Sequence, residues 1–252
     1  MPSPDSRNLE VGLQTFYYST SSFSPWPWPP FLCQHAMELS FLFLLIPLYL
    51  TAKPSYGAKQ KVSLAACHGT PQAQEGIIYF HGLDPRKPSK QELFNREQLK
   101  KLSERKNFRL AIMRSHYICS KNVACWPMST SKKIKLTLDQ TLKASKSCLG
   151  SVNKISAIGF SNGGYYVSKL VQMCHPNPFR KVIAIGSAGS WSKKVKGSLE
   201  KCGQLDLFVG NKDVTFPKAK KYYQYLKKRQ AHISFHDFPG GHELPKLSLI
   251  FP

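Results

Sequence analysis

The chain has 252 residues, 42% of them hydrophobic, and carries 36 Lys and Arg against 14 Asp and Glu, for a formal net charge of +22. That length supports one sizeable core and excludes two full domains beside a head segment. The charge favours anionic surroundings, but no nucleic-acid-binding motif accompanies it, so no specific nucleic-acid partner is expected.

In chain order, the first 58 residues differ from the rest. Residues 1–36 are rich in Ser, Pro and Trp, read as an over-extended start ahead of Met37, and are expected to be disordered. Leu39 to Leu50 is an apolar run, too short for a confident membrane span and suited to the hydrophobic part of a signal peptide. Ser55, Gly57 and Ala58 suit cleavage nearby. Glu38 stands where a basic flank belongs, so an uncleaved membrane anchor is the alternative. Residues 37–58 are therefore expected to be signal-peptide-like, and residues 59–252 to form the folded domain.

Within that domain strands and helices alternate, the pattern of a parallel sheet. Strands are predicted over 62–66 and 77–80, the second breaking at His81-Gly82-Leu83. A helix over 91–106 and a strand over 109–113 follow. The loop from Ser115 to Lys132 holds Tyr117, Trp126 and Met128, which either line a substrate pocket or pin the loop to the core. After a helix over 134–147 and a strand over 154–158 comes Gly159-Phe160-Ser161-Asn162-Gly163-Gly164, a G-x-S-x-G turn leading into a helix over 164–173. A serine on so sharp a strand-to-helix turn projects its hydroxyl above the sheet. Glycines two positions either side leave room where strand and helix come close.

A strand over 181–186 and another over 204–209 follow, the latter ending in a turn that carries Asp213. A helix over 216–229 and a strand over 232–237 lead to Pro239-Gly240-Gly241-His242. Ser161, Asp213 and His242 each fall just past the end of a predicted strand, in the chain order Ser…Asp…His. Asp206 and His236 lie inside strands, where they project sideways, and Asp237 precedes the glycine turn. In this arrangement His242 takes the serine proton and Asp213 orients the imidazole. The N–H groups of Asn162 and Leu83 are the expected oxyanion donors, and His81 is read as a structural histidine.

On these residues, the His81-Gly82 loop, the Ser161 elbow, Asp213 and His242, roughly residues 60 to 245 resemble the α/β-hydrolase superfamily. The elbow is also similar to that of small carboxylesterases, dienelactone hydrolases and secreted polyester depolymerases. The resemblance implies a doubly wound, mostly parallel sheet with helices on both faces and an active site at the carboxyl ends of the strands. The brief interval from Ser187 to Gln204 leaves little room for a cap domain. The resemblance further implies a serine hydrolase acting on carboxylic esters through an acyl-enzyme. Amidases, peptidases and acyltransferases share that machinery. A third alternative is a non-catalytic member holding envelope polymers on its basic surface.

Six cysteines follow the head: Cys67, Cys119, Cys125, Cys148, Cys174 and Cys202. An even number downstream of a signal-like segment predicts up to three disulfides and a secreted or periplasmic protein, with connectivity open. Cys119 and Cys125 are spaced to close the long loop. No Cys/His spacing matches a zinc site and no glycine loop cradles phosphate, so neither metal nor cofactor is expected. Residues 59–252 keep 34 of the 36 Lys and Arg but 11 of the 14 Asp and Glu, with lysines grouped at 132–135, 193–201 and 218–229. The expected partners are an ester substrate, bulky or anionic, and loosely held anionic envelope polymers or lipid headgroups.

Overall fold

The computed structural model describes residues 62–85, 87–174, 178–189, 199, 202–229 and 231–251. The chain divides into Met1–Lys53 and Pro54–Pro252, and every described residue belongs to the second part. The over-extended head, the signal-like segment and most of the 193–201 lysine group lie outside the described residues.

In chain order the elements are β1 (Val62–His68), β2 (Glu75–Phe80), β3 (Asp84–Pro85), α1 (Lys90–Lys106), β4 (Arg109–Ser115), β5 (Ile118–Ser120), β6 (Val123–Ala124) and α2 (Ser131–Leu149). They continue with β7 (Lys154–Phe160), α3 (Asn162–Gln172), β8 (Phe179–Ile185), β9 (Gln204–Gly210), α4 (Phe216–Lys227), β10 (Ile233–Phe238) and α5 (Leu247–Ile250). Seven strands form one sheet in the order β1-β4-β2-β7-β8-β9-β10. Only β1 runs antiparallel to its neighbour; every other pair is parallel. Each predicted strand and helix is present. The long loop, however, contains β5 and β6, which join β3 in a second, three-stranded sheet. Strands of two or three residues are too short to leave a periodic signal.

The two faces of the sheet follow from the alternation of side chains along each strand. Ile78, Phe80, Ala111 and Met113 point to one side, where Leu138 of α2, Val167 and Leu170 of α3 and Leu226 of α4 cover them. Ile77, Tyr79, Leu110 and Ile112 point to the other, against Leu99 and Leu102 of α1 and Ile250 of α5. Strands buried on both faces read as continuous apolar runs, which is how β2, β4 and β8 appear in the sequence. All six cysteines are paired: Cys67–Cys148, Cys119–Cys125 and Cys174–Cys202. Among the described residues no helix is long and apolar enough to cross a membrane.

Candidate active site

Ser161 sits between the end of β7 and the start of α3 with φ 51° and ψ −114°. Such a conformation is uncommon for a residue with a side chain and persists only where the surroundings hold it. Here the Ser161 N–H donates to the Ile185 carbonyl of β8 (2.8 Å), and Tyr165 N–H donates to the Ser161 carbonyl (3.0 Å). Gly163 is required by packing: a Cβ there would overlap the Phe80 carbonyl at the end of β2. The elbow is thus wedged against two neighbouring strands.

Asp213 and His242 come together because they leave adjacent parallel strands, β9 and β10, at the same edge. The loops beyond those strands are tied by Asn211 N–H to Phe238 O and Lys212 N–H to Gly240 O, both 2.9 Å. His242 Nδ1 lies 2.8 Å from Asp213 Oδ2. An ionised carboxylate only accepts, so Nδ1 is the donor in this bond, and Nε2 takes no part in it. The other carboxylate oxygen accepts the Thr215 N–H at 2.8 Å. Burial pushes the Asp213 carboxyl up, but the bonds from Thr215 and His242 outweigh it and hold the group below its ordinary value.

The His242 ring packs beside Phe160, centroids 5.1 Å apart, and over Gly186, where a Cβ would stand 3.1 Å from Cε1. It therefore lies next to the residue that precedes Ser161 and the residue that follows Ile185. Ser161 Oγ has no hydrogen-bond partner among the described residues, so the Ser161–His242 link is not closed here.

The Gly82-Leu83 loop approaches from β2, and a Cβ on Gly82 would stand 3.2 Å from Ser161 Cβ. Asn162 is the first residue of α3, where backbone N–H groups have no acceptor within the helix. The loop is anchored by Asp84, fully buried and paired with Arg114 (2.7 Å) and Arg96 (3.6 Å). His81 is also fully buried. Ser115 N–H donates to its Nε2 (3.1 Å), so its Nδ1 is the protonated nitrogen facing Gly82 O (2.6 Å). Burial lowers its pKa to about 4, which leaves it neutral at physiological pH. It is a structural residue of the loop, as its place in the sequence suggests.

The three aromatic and sulfur candidates of the long loop part company. Trp126 is fully buried between Phe80 and Tyr166, with centroids 4.9 and 5.5 Å away. Its indole N–H donates to His81 O (3.0 Å) and its backbone N–H to Asn162 Oδ1 (2.6 Å). Trp126 therefore pins the loop to the core and to both halves of the candidate oxyanion site. Tyr117 and Met128 remain half-buried, with Lys133 over the Tyr117 ring at 5.7 Å. Asp206 and His236 point sideways from their strands, Asp206 pairing with Lys181 (2.7 Å) and His236 stacking on Phe208 (4.4 Å). Sequence reading missed Asp84, Thr215 and the side chain of Asn162. No local pattern flags them, since their partners are set by tertiary packing. A separate cavity of about 460 Å³, lined in part by Lys106, Phe108 and Phe251, lies at the amino ends of the strands, away from Ser161.

No protein-family model matches this sequence, and no curated protein does either. Solved structures do match in shape. A carboxylesterase from Mesorhizobium loti aligns with a TM-score of 0.55 and 17% identity, over 72% of this chain and 90% of that one. A carboxylesterase from Bacillus cereus gives 0.57 and 14%, over 77% and 91%. Esterase PE8 gives 0.51 and 15%, over 75% and 96%. Together with the strand order, these matches identify the α/β-hydrolase fold.

Proposed function

We propose that this chain is a serine hydrolase that cleaves carboxylic esters through a Ser161–His242–Asp213 triad. The observation that carries the reading is the strained Ser161 elbow on the same sheet edge as an Asp213–His242 pair in whose bond Nε2 takes no part. The esterase neighbours add the expectation of an ester substrate at the level of fold analogy.

In this mechanism Ser161 Oγ attacks the acyl carbon and its proton passes to His242 Nε2. Asp213 holds the imidazole and stabilises the imidazolium. The N–H groups of Leu83 and Asn162 receive the developing oxyanion. His242 then protonates the leaving alcohol, and a water activated by the same nitrogen releases the acid and restores the serine. Tyr117 and Met128, half-buried on the neighbouring loop, are the candidate pocket wall. The three disulfides favour an oxidising compartment, which agrees with the signal-like segment at 37–58.

A tagged fluorophosphonate tests the reading directly. Labelling of the oxidised protein that is lost in Ser161→Ala establishes an activated serine, and ester turnover then follows from a substrate panel. Folded, disulfide-intact protein that resists the probe rejects it.

A further inference from the structure

The catalytic edge is both greasy and basic. Leu83, Ile118 and Val214 are 57%, 51% and 89% exposed. Leu83 follows the Gly82 that touches Ser161, and Val214 follows Asp213. Ile118 lies in the small sheet, where it pairs with Ala124, which in turn pairs with Asp84. All three thus stand on loops that leave the carboxyl ends of β2, β4 and β9, around the candidate mouth. Exposed apolar side chains scattered singly need no explanation, but three spread along the one sheet edge that carries Ser161, Asp213 and His242, among lysines, do.

Around them stand exposed Lys87, Lys121, Lys132, Lys133, Lys212 and Lys218. Lys132 and Lys133 open α2 and Lys218 lies in the first turn of α4, and neither helix has an acidic residue in that turn. The amino end of a helix is the positive end of its dipole, so these lysines are set against local preference. The acids of the same edge are few. Asp84 and Asp213 are buried and paired, which leaves Asp237 and Glu243 exposed.

We infer that this edge docks on an anionic phospholipid surface and draws its ester substrate from there. The inference rests on the proposed hydrolase reading for its substrate and on the surface alone for its docking. Three occupants are separated by chemistry. A soluble polyanion uses the lysines but leaves the exposed Leu, Ile and Val unexplained. A second copy of the chain uses the apolar side chains but meets the same positive edge, and like charge repels. A bilayer with anionic headgroups uses both: the apolar side chains enter the interface and the lysines meet the headgroup charge.

The test is hydrogen exchange of the full-length Ser161→Ala protein with vesicles of phosphatidylcholine, alone or mixed with phosphatidylglycerol. It reads residues 81–85, 117–121 and 211–216 individually, so any attachment through the head segment is separated from docking at the mouth. Slowed exchange in all three segments on mixed vesicles, weakened by salt, is the expected result. Each Lys→Gln change at 121, 132 or 212 should weaken partition by about fivefold. Ile118→Ser with Val214→Ser should remove the slowing while leaving the fold intact. Unchanged exchange in these segments overturns the inference. So does equal slowing by soluble heparin, which marks a polyanion site, or by raised protein concentration alone, which marks self-association. Hydrolysis of a short soluble ester by the wild-type protein is scored separately. Turnover without docking removes this inference and keeps the hydrolase, and docking without turnover does the reverse.

Discussion

The Trp126 backbone N–H donates to Asn162 Oδ1 at 2.6 Å. Since the Trp126 indole also holds the His81 carbonyl at 3.0 Å, one residue ties together the two segments that carry the candidate oxyanion donors. Trp126→Phe keeps an aromatic ring in the core and the backbone bond, at the cost of a small void, and deletes the indole donor. It should lower kcat by about ten- to a hundredfold with KM little changed, because small misplacements of catalytic groups are expensive in rate. Steady-state kinetics on a soluble ester checks this; a rise in KM at constant kcat would reassign Trp126 to substrate binding.

Asp213 yields a second expectation. Its carboxyl is held below the ordinary value of 3.8, so it contributes stability that is fully present above that value and is lost as pH falls through the lower folded pKa. Asp213→Asn removes that contribution and leaves His242 without the acceptor that fixes its tautomer. Turnover should drop by about 10⁴-fold, as for triads in general. A drop below tenfold at neutral pH would remove Asp213 from the triad.

His81 works in the opposite chemical sense with the same pH direction. Burial lowers its pKa from 6.5 to about 4, so between these values the unfolded chain takes up a proton that the folded protein excludes. Stability therefore falls as pH drops through that window and levels off below it, by about 3 kcal/mol in total. His81→Gln offers a neutral acceptor to the Ser115 N–H and should flatten this slope. Denaturant midpoints measured across the window decide it, and an unchanged slope in the variant would place the acid sensitivity elsewhere.

The sequence makes legible what is held locally. The elbow declared itself because Gly159, Ser161 and Gly163 lie within five positions and follow an apolar strand. The Asp213 and His242 candidates stand out in the sequence because each lies just past the end of a strand that the sequence itself predicts. Asp84 was not legible: its partner Arg114 is 30 residues away, and only the neighbouring course of β2 and β4 brings them together. In the sequence Trp126 is a loop aromatic with two open roles. Its burial against Phe80 is decided by packing 46 residues apart, which no periodicity encodes.

The disulfides should separate stability from activity. Cys67–Cys148 spans 81 residues and Cys119–Cys125 spans 6. On chain-entropy grounds the first contributes about 4.5 kcal/mol and the second about 2. Yet Cys125 precedes Trp126, and its N–H bonds to Tyr117 O at 2.9 Å, within the loop that supports the candidate site. Replacing both cysteines of the short pair by serine should cost more activity, and replacing both of the long pair should cost more stability. Matching ranks in melting and kinetic assays would disprove this division.

Ser161 itself is expected to be a point of stored strain. With φ 51° and ψ −114° it occupies a backbone region that costs a residue with a Cβ about 1–3 kcal/mol. Glycine adopts positive φ without that penalty, although it gives up about 0.5–1 kcal/mol through the greater freedom of its unfolded state. The balance makes Ser161→Gly more stable than Ser161→Ala by about 1 kcal/mol, the reverse of the order at ordinary positions. Both variants lose the hydroxyl, so neither should react with a fluorophosphonate, and the comparison isolates the backbone. Urea midpoints of the two, measured with disulfides intact, provide the check. If alanine proves the more stable, the elbow is not strained, and the strained geometry that the proposed nucleophile depends on is not the one the protein adopts in solution.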